Sequence, residues 1–251
     1  MKTTDLAAVL EQLRQRNPLI LSLTNTVVQP ITANMLLAAG AAPVMLNDAE
    51  ESEQLLCTCA NGLLINVGTL SRPQSEQMRR AVCAAQAAHI PWVLDPVAVG
   101  LLRFRTGFCQ ELLTLHPALI RGNASEIMAL AGEASGGRGT DTTAESVTAL
   151  HAASQLALQC SCTVLVTGAV DYVTDGARVA ALGNGHPLMT RVTGVGCAMG
   201  ALAAACAAML GIAGERAAAR CPRPGSFAAA LLDELDAITP ADMVHHTRFA
   251  G

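Results

Sequence analysis

Small groups of polar residues stand at the ends of apolar runs in this chain, and their types and spacing suit phosphate chemistry. PWVLDP closes on Asp95 and Pro96, a carboxylate placed to hold Mg2+ directly or through water. A plain turn aspartate is the structural alternative. In ALIRGNASEIMAL, Arg121 ends a second run, and Asn123 and Glu126 follow at the spacing of a helix capping box. The same three side chains could also clamp phosphate and add a second carboxylate for a magnesium–nucleotide complex. TVLVTG ends on Thr167 and Gly168, a hydroxyl and an open backbone able to touch phosphate.

The last group is VTGVGCAMG, residues 192–200. Gly194 and Gly196 let backbone N–H groups turn inward where a helix begins, and a helix start carries unpaired donors and partial positive charge. That makes an anion site, although close helix packing explains a Gly-x-Gly about as often. No Gly-x-x-x-x-Gly-Lys-Ser/Thr loop occurs. Cys197 reads as the first residue or the cap of that helix. The positive helix end would lower its thiol pKa and make it a proton acceptor or hydrogen-bond partner for a substrate hydroxyl, with a small residue tolerated in a tight turn as the alternative.

Apolar runs at 19–24, 42–46, 63–67, 91–95, 118–121, 163–167, 171–175 and 178–182 read as strands, several of them continuous as strands covered on both faces must be. Helix-length stretches such as 75–89 and 142–160 lie between them. This alternation predicts an α/β fold, a mostly parallel sheet with helices on both sides, over one domain spanning 1–251. In such a sheet ligands bind outside the carboxyl ends of the strands, the edge to which the polar groups are assigned. The glycine- and threonine-rich stretch 131–143 reads as a loop beside the site, with Asp141 or Thr142 capping the helix that follows.

Composition removes several function classes. With 16 basic and 20 acidic residues, one Trp, one Tyr and four Phe, the chain has no basic stripe or stacking platform for nucleic acid. Nine cysteines and a charged, amphipathic N-terminal stretch argue for free thiols packed as small hydrophobes, no export signal and a cytoplasmic location. Val192 to Gly214 is uncharged, but its alanines and glycines read as a buried helix rather than a membrane span.

Phosphoryl transfer needs a metal, a phosphate cradle and a positioned nucleophile, which these groups supply; they point to a kinase for a small alcohol. Together with LTNTVVQPITANMLLAAGAAPVM (23–45), LLINVGTL (63–70), GNGHPLMTRVTGVGC (183–197) and RPGSF (223–227), the same segments resemble the hydroxyethylthiazole kinase family of the ribokinase-like superfamily, in order and spacing over residues 17 to 230. The resemblance implies a ribokinase-like three-layer sandwich. It implies ATP- and Mg2+-dependent phosphorylation of the primary alcohol of 4-methyl-5-(2-hydroxyethyl)thiazole, in thiamine biosynthesis and salvage. It also assigns residues: Met45 and Asn25 to the thiazole pocket, Arg121 and Thr167 to the nucleotide, and Gly194 to the substrate at the anion hole. Asp95 and Glu126 fall at the acidic positions linked with magnesium and phosphate, and Cys197 stands where most ribokinase-like enzymes carry an aspartate base. A homotrimer is implied, with the 25–45 segment of one chain against the phosphate site of its neighbour.

Several features depart from the family pattern. The stretch 206–227 is shorter by about a helix, Ala169 replaces a glutamate common in relatives, and Val195 is expected to change only an outward side chain. The competing readings are a kinase for another small alcohol, such as a hydroxymethylpyrimidine or a sugar, and a non-catalytic thiazole- or nucleotide-binding relative.

Overall fold

The computed structural model describes residues 2–133, 146–202 and 205–250, with backbone alone at 199–202 and 205–206. Each of the eight apolar runs forms a strand: β1 (Leu19–Leu23), β2 (Ala42–Val44), β3 (Gly62–Asn66), β4 (Trp92–Asp95), β5 (Leu119–Asn123), β6 (Thr163–Thr167), β7 (Asp171–Thr174) and β8 (Val179–Leu182). They make one sheet in the order β2-β1-β3-β4-β5-β6-β7-β8. β1 to β6 are parallel, and β7 pairs antiparallel with both β6 and β8.

Alternation along the strands feeds two apolar layers. One face carries α3 (Ala49–Thr58), α4 (Arg72–Ala87), α5 (Arg103–Leu113), α6 (Ala124–Leu130) and α7 (Leu150–Cys160), which pack Leu56, Met78, Leu112, Ile127 and Leu156 against Leu21, Ile65 and Val164. The other carries α1 (Thr3–Arg16), α2 (Gln29–Ala39), α8 (Val195–Leu202), α9 (Ala205–Arg220), α10 (Pro224–Ala237) and α11 (Pro240–His246), with Met35, Phe227 and Leu235 against Leu119 and Leu165. This is the expected three-layer α/β sandwich. Each fully buried Leu, Ile or Phe contributes about 1.5–3 kcal/mol, and ladder hydrogen bonds satisfy the buried strand backbone.

The strand order explains where a site can form. The chain leaves β1 toward β2 on one side and leaves β3 toward β4 on the other, so the connections diverge and open a crevice at the carboxyl ends of β1 and β3. α8 enters over that edge, packed on α2 and across β3 and β4.

The uncharged run divides into α8 and α9. Ala207 to Leu210, Ile212 and Ala213 are buried, and α9 packs against α10, α1 and α11, as a core helix should. No helix among the described residues is long and apolar enough to cross a membrane. Some sequence expectations change. Cys57, Cys59 and Cys83 are exposed rather than buried, because they lie on or just beyond outward faces of α3 and α4, whereas Cys109, Cys160 and Cys162 are in the core. Val195 points inward, at 3% exposure, because the first turn of α8 seats on the α2 layer. The loop 131–143 and its capping residues lie largely outside the described residues.

Candidate active site

β1, β3, β4, β5 and β6 deliver polar residues to one edge, where hydrogen bonds and an ion pair join them into a chain. Asn25, just past β1, donates through Nδ2 to Asn66 Oδ1 at 2.9 Å and to Cys197 Sγ at 3.6 Å. Asn66, the last residue of β3, donates through Nδ2 to Asp95 Oδ2 at 2.6 Å. Asp95 Oδ1 lies 3.5 Å from Arg121 Nη1, and Arg121 Nη2 donates to Thr167 Oγ1 at 3.0 Å. The chain therefore runs from the thiol to the hydroxyl across five strand ends. Asp95 is fully buried and Arg121 nearly so, and Arg121 Nε has no hydrogen-bond partner.

The first turn of α8 caps this edge. Gly194 has φ +93, and a Cβ there would overlap Ile31 Cγ2 and press on Val28, so both backbone conformation and packing demand glycine. Helix α8 begins at Val195, with the Ala198 N–H bonding to Gly194 O at 2.9 Å. Cys197 is thus the third helical residue, not the first or the cap. A Cβ at Gly196 would stand 3.0 Å from Arg121 Nη2, so the guanidinium lies against that turn. The N–H groups of residues 195–197 have no acceptor within their own helix, which suits an anion.

Glu126 has a structural duty. Its Oε2 accepts from Asn123 N and its Oε1 from Ala98 N, both at 2.9 Å, while Asn123 Oδ1 accepts from Glu126 N at 3.0 Å. The capping box is complete, and it also pins the turn after Asp95, where Ala98 has φ +61. Gly168 N donates to Asp171 Oδ1 at 2.9 Å, and Thr167 is half-buried at the same edge. Met45 follows the edge strand β2, half-buried and outside the hydrogen-bonded chain.

Burial governs the electrostatics. It pushes Asp95 up to about 7, opposed by Arg121 and Asn66 and reinforced by Glu126. It pushes Asp171 up to about 6, opposed by the Gly168 amide and Arg121. Burial also works against the Arg121 charge, but Asp95, Glu126, Cys197 and Asp171 outweigh it and raise that pKa further. The thiol corrects a sequence expectation: burial and the neighbouring Asp95 push Cys197 up to about 11, against donation from Asn66 and Asn25 and the charge of Arg121. Burial and Asp95 outweigh the opposing contacts, which favours the neutral thiol at neutral pH.

Asn66 and Asp171 are not among the residues that the sequence singles out. Asn66 ends an apolar run just as Asp95 does, a usable signal, whereas Asp171 opens a hairpin strand and becomes notable only through its fold against Gly168 and Arg121.

Comparison with known proteins agrees with this architecture. The solved structure of a hydroxyethylthiazole kinase protein from Pyrococcus horikoshii OT3 superposes with a TM-score of 0.89, at 37% identity and over 98% of both chains. A pyridoxal kinase from Bacillus subtilis (TM-score 0.53, 15% identity, 86% of this chain and 89% of the other) and a ribokinase-like superfamily protein from Enterococcus faecalis V583 (TM-score 0.53, 12% identity, 90% and 84%) share the fold alone. Hydroxyethylthiazole kinases of Akkermansia muciniphila and Escherichia coli O157:H7 are 52% and 51% identical, over 99% and 93% of this chain and 98% and 94% of theirs. The model of the hydroxyethylthiazole kinase family matches residues 10–241, and the chain belongs to that family.

Proposed function

We propose that the protein transfers the γ-phosphoryl group of ATP to the primary alcohol of 4-methyl-5-(2-hydroxyethyl)thiazole, a reading supported by its relatives, which are hydroxyethylthiazole kinases. The observation that carries this reading is the convergence of Asn25, Asn66, Asp95, Arg121 and Thr167 beneath the glycine turn of α8. Arg121 and Thr167 bind the nucleotide phosphates, beside the exposed Gly168, and the free Nε of Arg121 is a donor in reserve. The N–H groups at 195–197 donate to the oxygens on which charge develops as the phosphoryl group transfers. Asn25 and Met45 line the thiazole side. Cys197, held as a thiol, orients the hydroxyl rather than removing its proton, which suits a loose transition state that asks little of a base.

Among the described residues no cluster of three or more His, Cys, Asp or Glu side chains gathers for a metal ion, so an ion here would rest on few protein oxygens and on phosphate. Asp95 lies 3.5 Å from the Arg121 guanidinium, and its buried Oδ1 lacks a hydrogen bond. Asp95 and Glu126 would hold the ion, with phosphate and water completing an oxygen shell. Bound there, Mg2+ would neutralise phosphate charge.

The assembly we infer is a homotrimer with sites between subunits. Val27 and Leu37, exposed at 63% and 57%, are the side chains of the 25–45 segment left for a neighbour, whereas Asn25, Val28 and Ile31 of the same segment face Cys197 and Gly194 of their own chain. The work site is the cytoplasm, where ATP is supplied and exposed thiols stay reduced. Incubation of the purified protein with Mg·ATP and the thiazole alcohol should yield the phosphate ester and ADP by mass spectrometry. No ester, or ester formed equally fast by Arg121→Ala, would overturn the assignment, and native mass spectrometry decides the trimer.

A further inference from the structure

Asn66 is 1% exposed, and the positions of its oxygen and nitrogen follow from its neighbours. The backbone N–H of Gly68 can only donate, and it meets Asn66 Oδ1 at 3.0 Å. Asn66 Nδ2 therefore faces the opposite way, toward Asp95 Oδ2 at 2.6 Å. Asn25 is fixed likewise: its Oδ1 accepts from Val27 N at 3.1 Å, which turns Nδ2 toward Asn66 Oδ1 and Cys197 Sγ. Two backbone amides thus set the direction of every hydrogen bond in this part of the site. The sulfur receives the Asn25 N–H, which leaves its own S–H for a ligand oxygen.

We infer that Asn66 is the positioning residue that holds the two halves of the site in register, orienting Asp95 on the phosphate side and, with Asn25, Cys197 on the alcohol side. It touches neither substrate in this assignment, so its contribution is to geometry at transfer rather than to binding. The kinetic consequence rests on the kinase reading, whereas the hydrogen-bonded geometry does not.

The test has two arms. In protein labelled with 15N at asparagine and free of nucleotide and alcohol, the Asn66 side-chain amide, identified by its absence in Asn66→Ala, should exchange slowly with solvent and shift in Asp95→Asn. Exchange as fast as that of an exposed asparagine, or indifference to Asp95→Asn, overturns the inference. In the kinetic arm, Asn66→Ala and the isosteric Asn66→Asp should each lower kcat by about 10- to 100-fold, the loss of a hydrogen bond to a charged group, with both KM values within about threefold. A loss confined to KM, or unchanged kcat in a folded variant, overturns it as well. A wild type without transferase activity would overturn the kinase reading alone, and the amide arm would still decide the positioning role.

Discussion

Replacing Gly194 with alanine should damage stability and transfer together, because one residue serves the turn, the packing and the start of α8. At φ +93 a Cβ-bearing residue pays about 1–2 kcal/mol for the left-handed conformation. The new methyl would also overlap Ile31 Cγ2 and stand 3.1 Å from Val28 Cγ1, and such overpacking costs about 1–3 kcal/mol. The sum, about 2–5 kcal/mol, corresponds to a fall in Tm of about 4–20 °C for a chain of this size. Relief would come by shifting the first turn of α8, which moves the N–H groups at 195–197 away from the transferring phosphate. Gly225→Ala is the matched control: it lies in the first turn of α10, and a Cβ there meets nothing within 4 Å, so alanine should leave stability unchanged or slightly raised. Calorimetry gives both Tm values and coupled ADP detection gives both rates. A Gly194→Ala protein as stable and active as Gly225→Ala would refute the reasoning.

Other substitutions separate the roles of individual groups. Cys197→Ser should retain activity within about tenfold, since removing a true general base costs about 10²–10⁴-fold, and a loss in that range would restore the base role. Glu126→Ala leaves the N–H groups of Ala98 and Asn123 without their acceptor and should cost about 2–5 kcal/mol in denaturant unfolding, and a variant as stable as wild type would dismiss the pinned turn. Asp171, with a folded pKa raised to about 6, binds its proton more tightly folded than unfolded. Its stabilising contribution is therefore complete below about pH 4 and falls by roughly 3 kcal/mol as pH rises through 6. Asp171→Asn should accordingly gain Tm relative to wild type from pH 4 to 7, and a flat difference across that window would contradict the buried carboxylate.

The strands were legible because apolar runs and their breaks are local signals. All eight formed, and the polar residues at their ends reached a common edge because parallel strands point the same way. Asn25, Asp95, Arg121 and Thr167 were readable on that ground and through family resemblance. Asn66 shared the same signal but carried no obvious chemistry, since an amide becomes important only through the groups that fix its orientation. The inward Val195 and the exposed Cys57, Cys59 and Cys83 were misread because facing depends on the layer against which a helix packs.

The sequence by itself determined the alternation of strand and helix, the glycine turn and the inventory of phosphate-binding groups, because these depend on near neighbours along the chain. Tertiary structure decided that Glu126, beyond the capping box its spacing announces, anchors the turn after Asp95, and that Arg121 meets Asp95 and Thr167 from neighbouring strands. It also decided that Cys197 is a thiol. Protonation depends on desolvation and on charges brought together from strands far apart in sequence, and no local spacing encodes that sum.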